Sequence, residues 1–182
     1  MEHSNMMSDR TTRVMRIAGW SAAALLLAAP AIAMRFPGSG VNWTPSDFIF
    51  AGIVFALVGG LFELAARASR NVSYRAAVVV GVACGFLQLW ITLAVGIIGS
   101  EDNPANWTYI AMVLAALSVA AVTLGAARAL SRAMAVMAVL QMVFFALHMI
   151  DGHFTGVIDL FFAALWVMSS RLFARATRQV EA

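Results

Sequence analysis

Long apolar runs alternate with short polar breaks along this sequence, and the breaks alternate in charge. The runs predict helices at about 17–34, 46–66, 76–98, 105–127, 133–150 and 157–174. Each approaches the roughly 20 apolar residues that carry a helix across a bilayer at about 1.5 Å per residue. The expected fold is all-α and integral to the membrane, with six transmembrane helices in three antiparallel hairpins. That single domain covers residues 17–174, with polar tails at 1–16 and 175–182. The sixth helix is the least regular: only 160–168 is uninterrupted, so Arg171 must snorkel to the interface or the bilayer must thin.

Local signals mark several helix ends. Thr44-Pro45-Ser46-Asp47 reads as an N-cap, a first-turn proline and a reach-back carboxylate. Asn103-Pro104 repeats the cap-then-proline start. Gly52, Ala56 and Gly60, and again Ala77, Gly81 and Gly85, fall at four-residue spacing and predict close helix contacts. The first run has a rival interpretation. Arg10, Arg13 and Arg16 followed by an apolar stretch and Ala31-Ile32-Ala33 resemble a cleavable signal peptide. Retention is favoured because the first hairpin needs this helix.

Composition agrees with the pattern. The chain is 62% hydrophobic and 12% charged, against about 45–50% and about 25% in a soluble domain. The twelve basic residues are all arginine, which excludes a lysine Schiff base. The single cysteine, Cys84, excludes an intramolecular disulfide and reads as a packing residue. The arginines flank apolar runs and form no soluble patch, so nucleic acid is not an expected partner.

Eleven of the twelve arginines fall on one set of breaks; Arg35 alone falls on the other, with Asp47, Glu101, Asp102, Asp151 and Asp159. Arginine-rich short loops mark the cytoplasmic side. Both termini are therefore expected in the cytoplasm, and the acidic breaks outside.

Asn42-Trp43-Thr44, Asp47-Phe48 and Phe62-Glu63-Leu64-Ala65, followed by the stretch Gly96-Ile97-Ile98-Gly99-Ser100-Glu101-Asp102-Asn103-Pro104-Ala105-Asn106, resemble a group of small uncharacterised multi-pass bacterial inner-membrane proteins. The resemblance covers roughly residues 14–175. It implies a bacterial inner-membrane location and no particular activity.

Three constellations carry candidate chemistry. His148, Asp151 and His153, joined by Glu101 and Asp102 if the loops converge, offer imidazole and carboxylate ligands to a divalent metal. The competing interpretation is capping and interfacial placement, with Asn103 as a cap. Glu101, Asp102, Asn103 and Asn106 by themselves form an oxygen-rich group that suits a hard cation such as calcium or magnesium, or a polar head group, against the same capping interpretation. Glu63, Gln88 and Gln141 can line a polar path across the bilayer. A Glu63–Arg67 pair and interhelical hydrogen bonds explain the same three residues. No phosphate loop, nucleophile elbow or recognised zinc motif is present. No cofactor is expected, a divalent metal being the one candidate.

A non-catalytic partner or assembly protein of the inner membrane fits these features first. A small solute or ion transporter or channel subunit fits second, and a membrane enzyme or metal-binding protein third. The expected partners are the lipid bilayer and either a second copy or another membrane protein.

Overall fold

The computed structural model describes residues 8–100 and 102–181. Among them are six long helices: α1 Asp9–Ala33, α2 Pro45–Ala68, α3 Val72–Ala94, α4 Trp107–Val122, α5 Ala127–Ile150 and α6 Gly156–Glu181. A 3-10 turn, Pro104–Asn106, leads into α4. All six are long and apolar enough to cross a membrane. The protein is a multi-pass membrane protein of the all-α class.

Polar atoms set the helix ends. Ser8 caps α1 by accepting from the Thr11 backbone N–H at 3.1 Å. The Asp47 carboxylate reaches back to the Thr44 backbone N–H at 2.7 Å and its hydroxyl at 2.8 Å. Asn71 caps α3 by accepting from the Tyr74 N–H, so α3 starts at Val72, four residues before the apolar run predicts. It ends at Ala94 because Gly96 takes a positive φ of 72°. The turn between α4 and α5 is likewise fixed by Gly125 at φ 76°. Arg128 and Arg132 therefore lie inside α5, not in a loop. α6 runs well past 174. Its arginines end the apolar span without ending the helix, and Phe173 and Ala176 stay buried. The Phe173 ring packs on Tyr74 at 5.4 Å between centroids.

Consecutive helices form antiparallel pairs. Trp20 lies on Gly59 and Arg16 on Glu63 in the first pair. Gly85 faces Val113, and Gln88 faces Tyr109, in the second. In the third, Ser131 and Ser170 each donate a hydroxyl to the other's carbonyl, at 3.0 and 2.7 Å. The pairs are not equal partners in the bundle. α6 packs extensively against both α5 and α3, and the buried core lies almost entirely within α3 to α6. Ser169 donates to the Ala77 carbonyl at 2.9 Å, fastening α6 to α3. α1 contributes no buried residue and rests mainly on α2.

The glycine expectations divide along this line. A Cβ on Gly81 would meet Ser169 and one on Gly85 would meet Val113, but Gly52 and Gly60 face open space. Gly59 makes the close approach in α2, with Trp20 ring atoms 2.6–3.0 Å from where its Cβ would lie. The spacing identified the contact face of α3 correctly, and in α2 the right kind of residue on the wrong face.

Candidate functional site

The loops at 34–44, 95–106 and 151–155 define one face of the bundle, here the acidic face; the arginine-rich opposite face is the basic face. The described acidic-face carboxylates Asp47, Asp102 and Asp151 are exposed. Asp159 is not. It is fully buried, at 0% exposure, which corrects its placement among the rim acids. Gln141, which donates to Asp159 at 2.6 Å, lies nine residues before the end of α5 at Ile150. At about 1.5 Å per residue that is about 13 Å below that end of α5.

Asp159 is the hub of a hydrogen-bonded centre between α4, α5 and α6. Oδ1 accepts from Gln141 Nε2. Oδ2 accepts from the Thr155 hydroxyl at 2.5 Å and from the Tyr109 hydroxyl at 3.4 Å. Thr155, on the turn before α6, is itself buried, and its carbonyl accepts the Asp159 backbone N–H. The local helix start thus aims the carboxylate inward. Tyr109, 0% exposed on α4, stands between Asp159 and His148. Its hydroxyl lies 3.3 Å from His148 Nδ1, and the rings are 5.5 Å apart. His148 Nε2 lies 3.4 Å from the Thr108 hydroxyl.

Donor and acceptor bookkeeping limits where the protons of this arrangement can sit. All three groups facing Asp159 donate, which suits an ionised carboxylate that only accepts. With the Tyr109 proton toward Asp159, its oxygen accepts from His148 Nδ1; with the proton toward His148, Nδ1 is the acceptor. The Thr108 hydroxyl donates to the Ala105 carbonyl at 2.8 Å, so its oxygen is free to accept from His148 Nε2. A histidine donating from both nitrogens is an imidazolium. The network is satisfied by a His148 cation and an Asp159 anion joined through one Tyr109 hydroxyl, and also by a neutral His148 that accepts the Tyr109 proton at Nδ1 and donates from Nε2 to Thr108. Moving the Nδ1 proton to the Tyr109 oxygen, as Tyr109 passes its own proton to Asp159, yields a neutral histidine and a neutral acid. No atom other than hydrogen has to leave the chain of contacts.

The remaining candidates fall elsewhere. Gln88 is fully buried and donates to the Tyr109 carbonyl at 3.4 Å, so Gln88 and Gln141 border the same centre. Gln88 Oε1, Gln141 Oε1 and Trp166 Nε1 are buried and have no hydrogen-bond partner among the described residues. Glu63 is held at the basic end of the first hairpin by Arg16 at 2.6 Å and Arg67 at 2.9 Å. His148 faces inward, whereas Asp151 is exposed and His153 half-buried on the turn beyond it. Glu101 lies outside the described residues. Among the described residues no three histidine, cysteine or acidic side chains gather as metal ligands do.

Asn106 serves the fold. Its Oδ1 accepts the Ile97 and Ile98 backbone N–H groups at 3.0 and 2.9 Å, and its Nδ2 donates to the Ile98 and Ser100 carbonyls at 3.3 and 2.7 Å. Asn103 caps the following turn by accepting from Ala105 N–H. Asn106→Ala is expected to lower stability by about 1–3 kcal/mol, because buried backbone groups lose their partners. It should also expose the 95–103 loop to protease. An unchanged melting temperature and cleavage pattern would show that the loop holds itself.

The sequence signal for Asp159 was available: an acid between Ile158 and Leu160, four residues after a threonine, in a segment predicted to cross the membrane. An intramembrane acid with a hydrogen-bonding neighbour is a functional candidate by default. Tyr109 carried no comparable signal. No protein family, curated protein or solved structure matches the chain, so the site is interpreted from its own chemistry.

Proposed function

We propose that the protein is a small proton-coupled carrier, or the proton-handling subunit of one, in the bacterial inner membrane. Asp159, Tyr109 and His148 are its relay. The observation that carries this is the fully buried Asp159, in the first turn of α6, held by three donors and joined to His148 through one hydroxyl. Charged groups in the bilayer interior are costly, and those that persist mark proton and ion pathways. His148, two residues before the end of α5, is the entry from the acidic face. Trp166 and Ser169, seven and ten residues after Asp159, are the next buried polar groups on α6 toward the basic face. The relay contacts, at 3.3 and 3.4 Å, must shorten to about 2.7–2.8 Å for transfer.

The test is proton uptake into proteoliposomes under an imposed potential, read with an enclosed pH dye. Uptake above empty vesicles that disappears in Asp159→Asn supports the proposal. Wild-type vesicles no more permeable than empty ones would overturn it. The network would then be a structural lock in a partner or assembly protein. That second reading has its own support in α1, whose largely uncovered surface offers a face to another helix.

The arginine distribution supports an orientation with the basic face and both termini in the cytoplasm. With Cys84 replaced, cysteines at the exposed Ser39 and Ser100 are expected to react with a membrane-impermeant thiol reagent on intact cells, and one at the exposed Ala126 is not. Labelling at 126 alone would invert the orientation.

A further inference from the structure

Between the outward faces of α5 and α6 runs a groove of about 610 Å³, within the range of small-molecule sites. Ala135, Ala138 and Ala163 hollow it, Val139 and Val167 line its walls, and Arg171 stands at its basic end. The reciprocal Ser131 and Ser170 hydrogen bonds hold the two helices together at that level. Arg132 lies on the α5 stripe that carries Ala135 and Val139, and Arg175 on the α6 stripe that carries Val167 and Arg171.

Arg132, Arg171 and Arg175 are exposed, and none pairs with a carboxylate among the described residues. The described ion pairs all belong to α1, α2 and the turn that follows. An apolar furrow that ends in cations without a carboxylate partner among the described residues has the chemistry of a single ligand class: an alkyl chain terminated by an anion. We infer that this groove binds one phospholipid with an anionic headgroup, its acyl chain along the alanines and its phosphate among the three arginines. A second copy of the chain is disfavoured as occupant. A two-fold contact that brings the same patch from both copies together would set these arginines against their own counterparts.

The experiment uses full-length protein, delipidated in detergent and then exposed to equal amounts of phosphatidylglycerol and phosphatidylcholine. Retained lipid is counted by native mass spectrometry. One phosphatidylglycerol is expected to be retained in preference. In Arg171→Gln/Arg175→Gln that preference should fall roughly thirtyfold, at about 1 kcal/mol for each basic residue near an anionic surface. Val139→Trp fills the groove from an exposed position and should displace the lipid with the arginines intact. Equal retention of the two lipids by the wild type, or unchanged preference in the double variant, would overturn the assignment. So would a dimer that Val139→Trp dissociates, since a second copy would then occupy the groove. Melting curves of both variants verify that they fold.

Discussion

Asp159→Asn is expected to reduce proton uptake to that of empty vesicles while changing the melting temperature by only a few degrees. The amide keeps the size of the carboxylate. The Thr155 and Tyr109 hydroxyls can rotate toward its oxygen. Gln141, whose Oε1 has no partner among the described residues, can turn over and accept from the new NH2. What the amide cannot do is take up a proton. Asp159→Leu separates structure from chemistry by removing the acceptor from Gln141, Thr155 and Tyr109 together. Each orphaned donor costs about 1–3 kcal/mol in a protein interior, and hydrogen bonds between membrane helices average about 0.6 kcal/mol. A total of about 2 kcal/mol corresponds to a fall of about 4–8 °C for a chain of this size. Tyr109→Phe keeps the ring and deletes the bridge, and uptake is expected to slow by about 100-fold or more, the usual contribution of a positioned proton-transfer group. Wild-type uptake in Asp159→Asn would leave the residue a purely structural hub. Wild-type uptake in Tyr109→Phe would show that protons reach Asp159 without the hydroxyl.

Gly81→Leu is expected to lower the melting temperature by about 5–10 °C, from an overpacking cost of about 1–3 kcal/mol. The first added carbon would lie 3.0 Å from Ser169 Oγ and 3.8 Å from Met134 Sδ. It meets the hydroxyl that fastens α6 to Ala77, so the remaining carbons must push α3 away from α6. Gly60→Leu is the matched control. It carries the same substitution in a helix of similar length, at a position with nothing within 4 Å, and should shift the melt by no more than about 1–2 °C. Equal effects at both positions would mean that glycine acts through the backbone and not through packing. A larger loss at Gly60 would reverse the assignment of faces.

Local chemistry made much of the architecture legible. Apolar length is enough to count spans, because a bilayer requires about 20 apolar residues whatever their neighbours. Thr44 with Asp47, and Asn103 before Pro104, start helices by bonds within three residues, so they could be read from the sequence. The Glu63–Arg67 pair needed only four-residue spacing. Arg16 joined it from another helix, which no spacing reveals.

The rotation of each helix about its axis was decided by the tertiary structure. In a soluble protein the polar face announces itself. Here lipid-facing and protein-facing residues are both apolar, so α2 could turn Gly59 to Trp20 and leave Gly60 open with no trace in the pattern. The same rotation took Asp159 from an apparent rim acid to the centre of the bundle and turned His148 from the acidic loop toward Tyr109. It also made α6, the least regular run in the sequence, the helix against which α3 and α5 are packed. The sequence by itself determined six spans and their charge asymmetry, because hydropathy and capping act within a few residues. Which side chains meet was settled only by packing between helices, because those contacts join residues as far apart as Ala77 and Ser169.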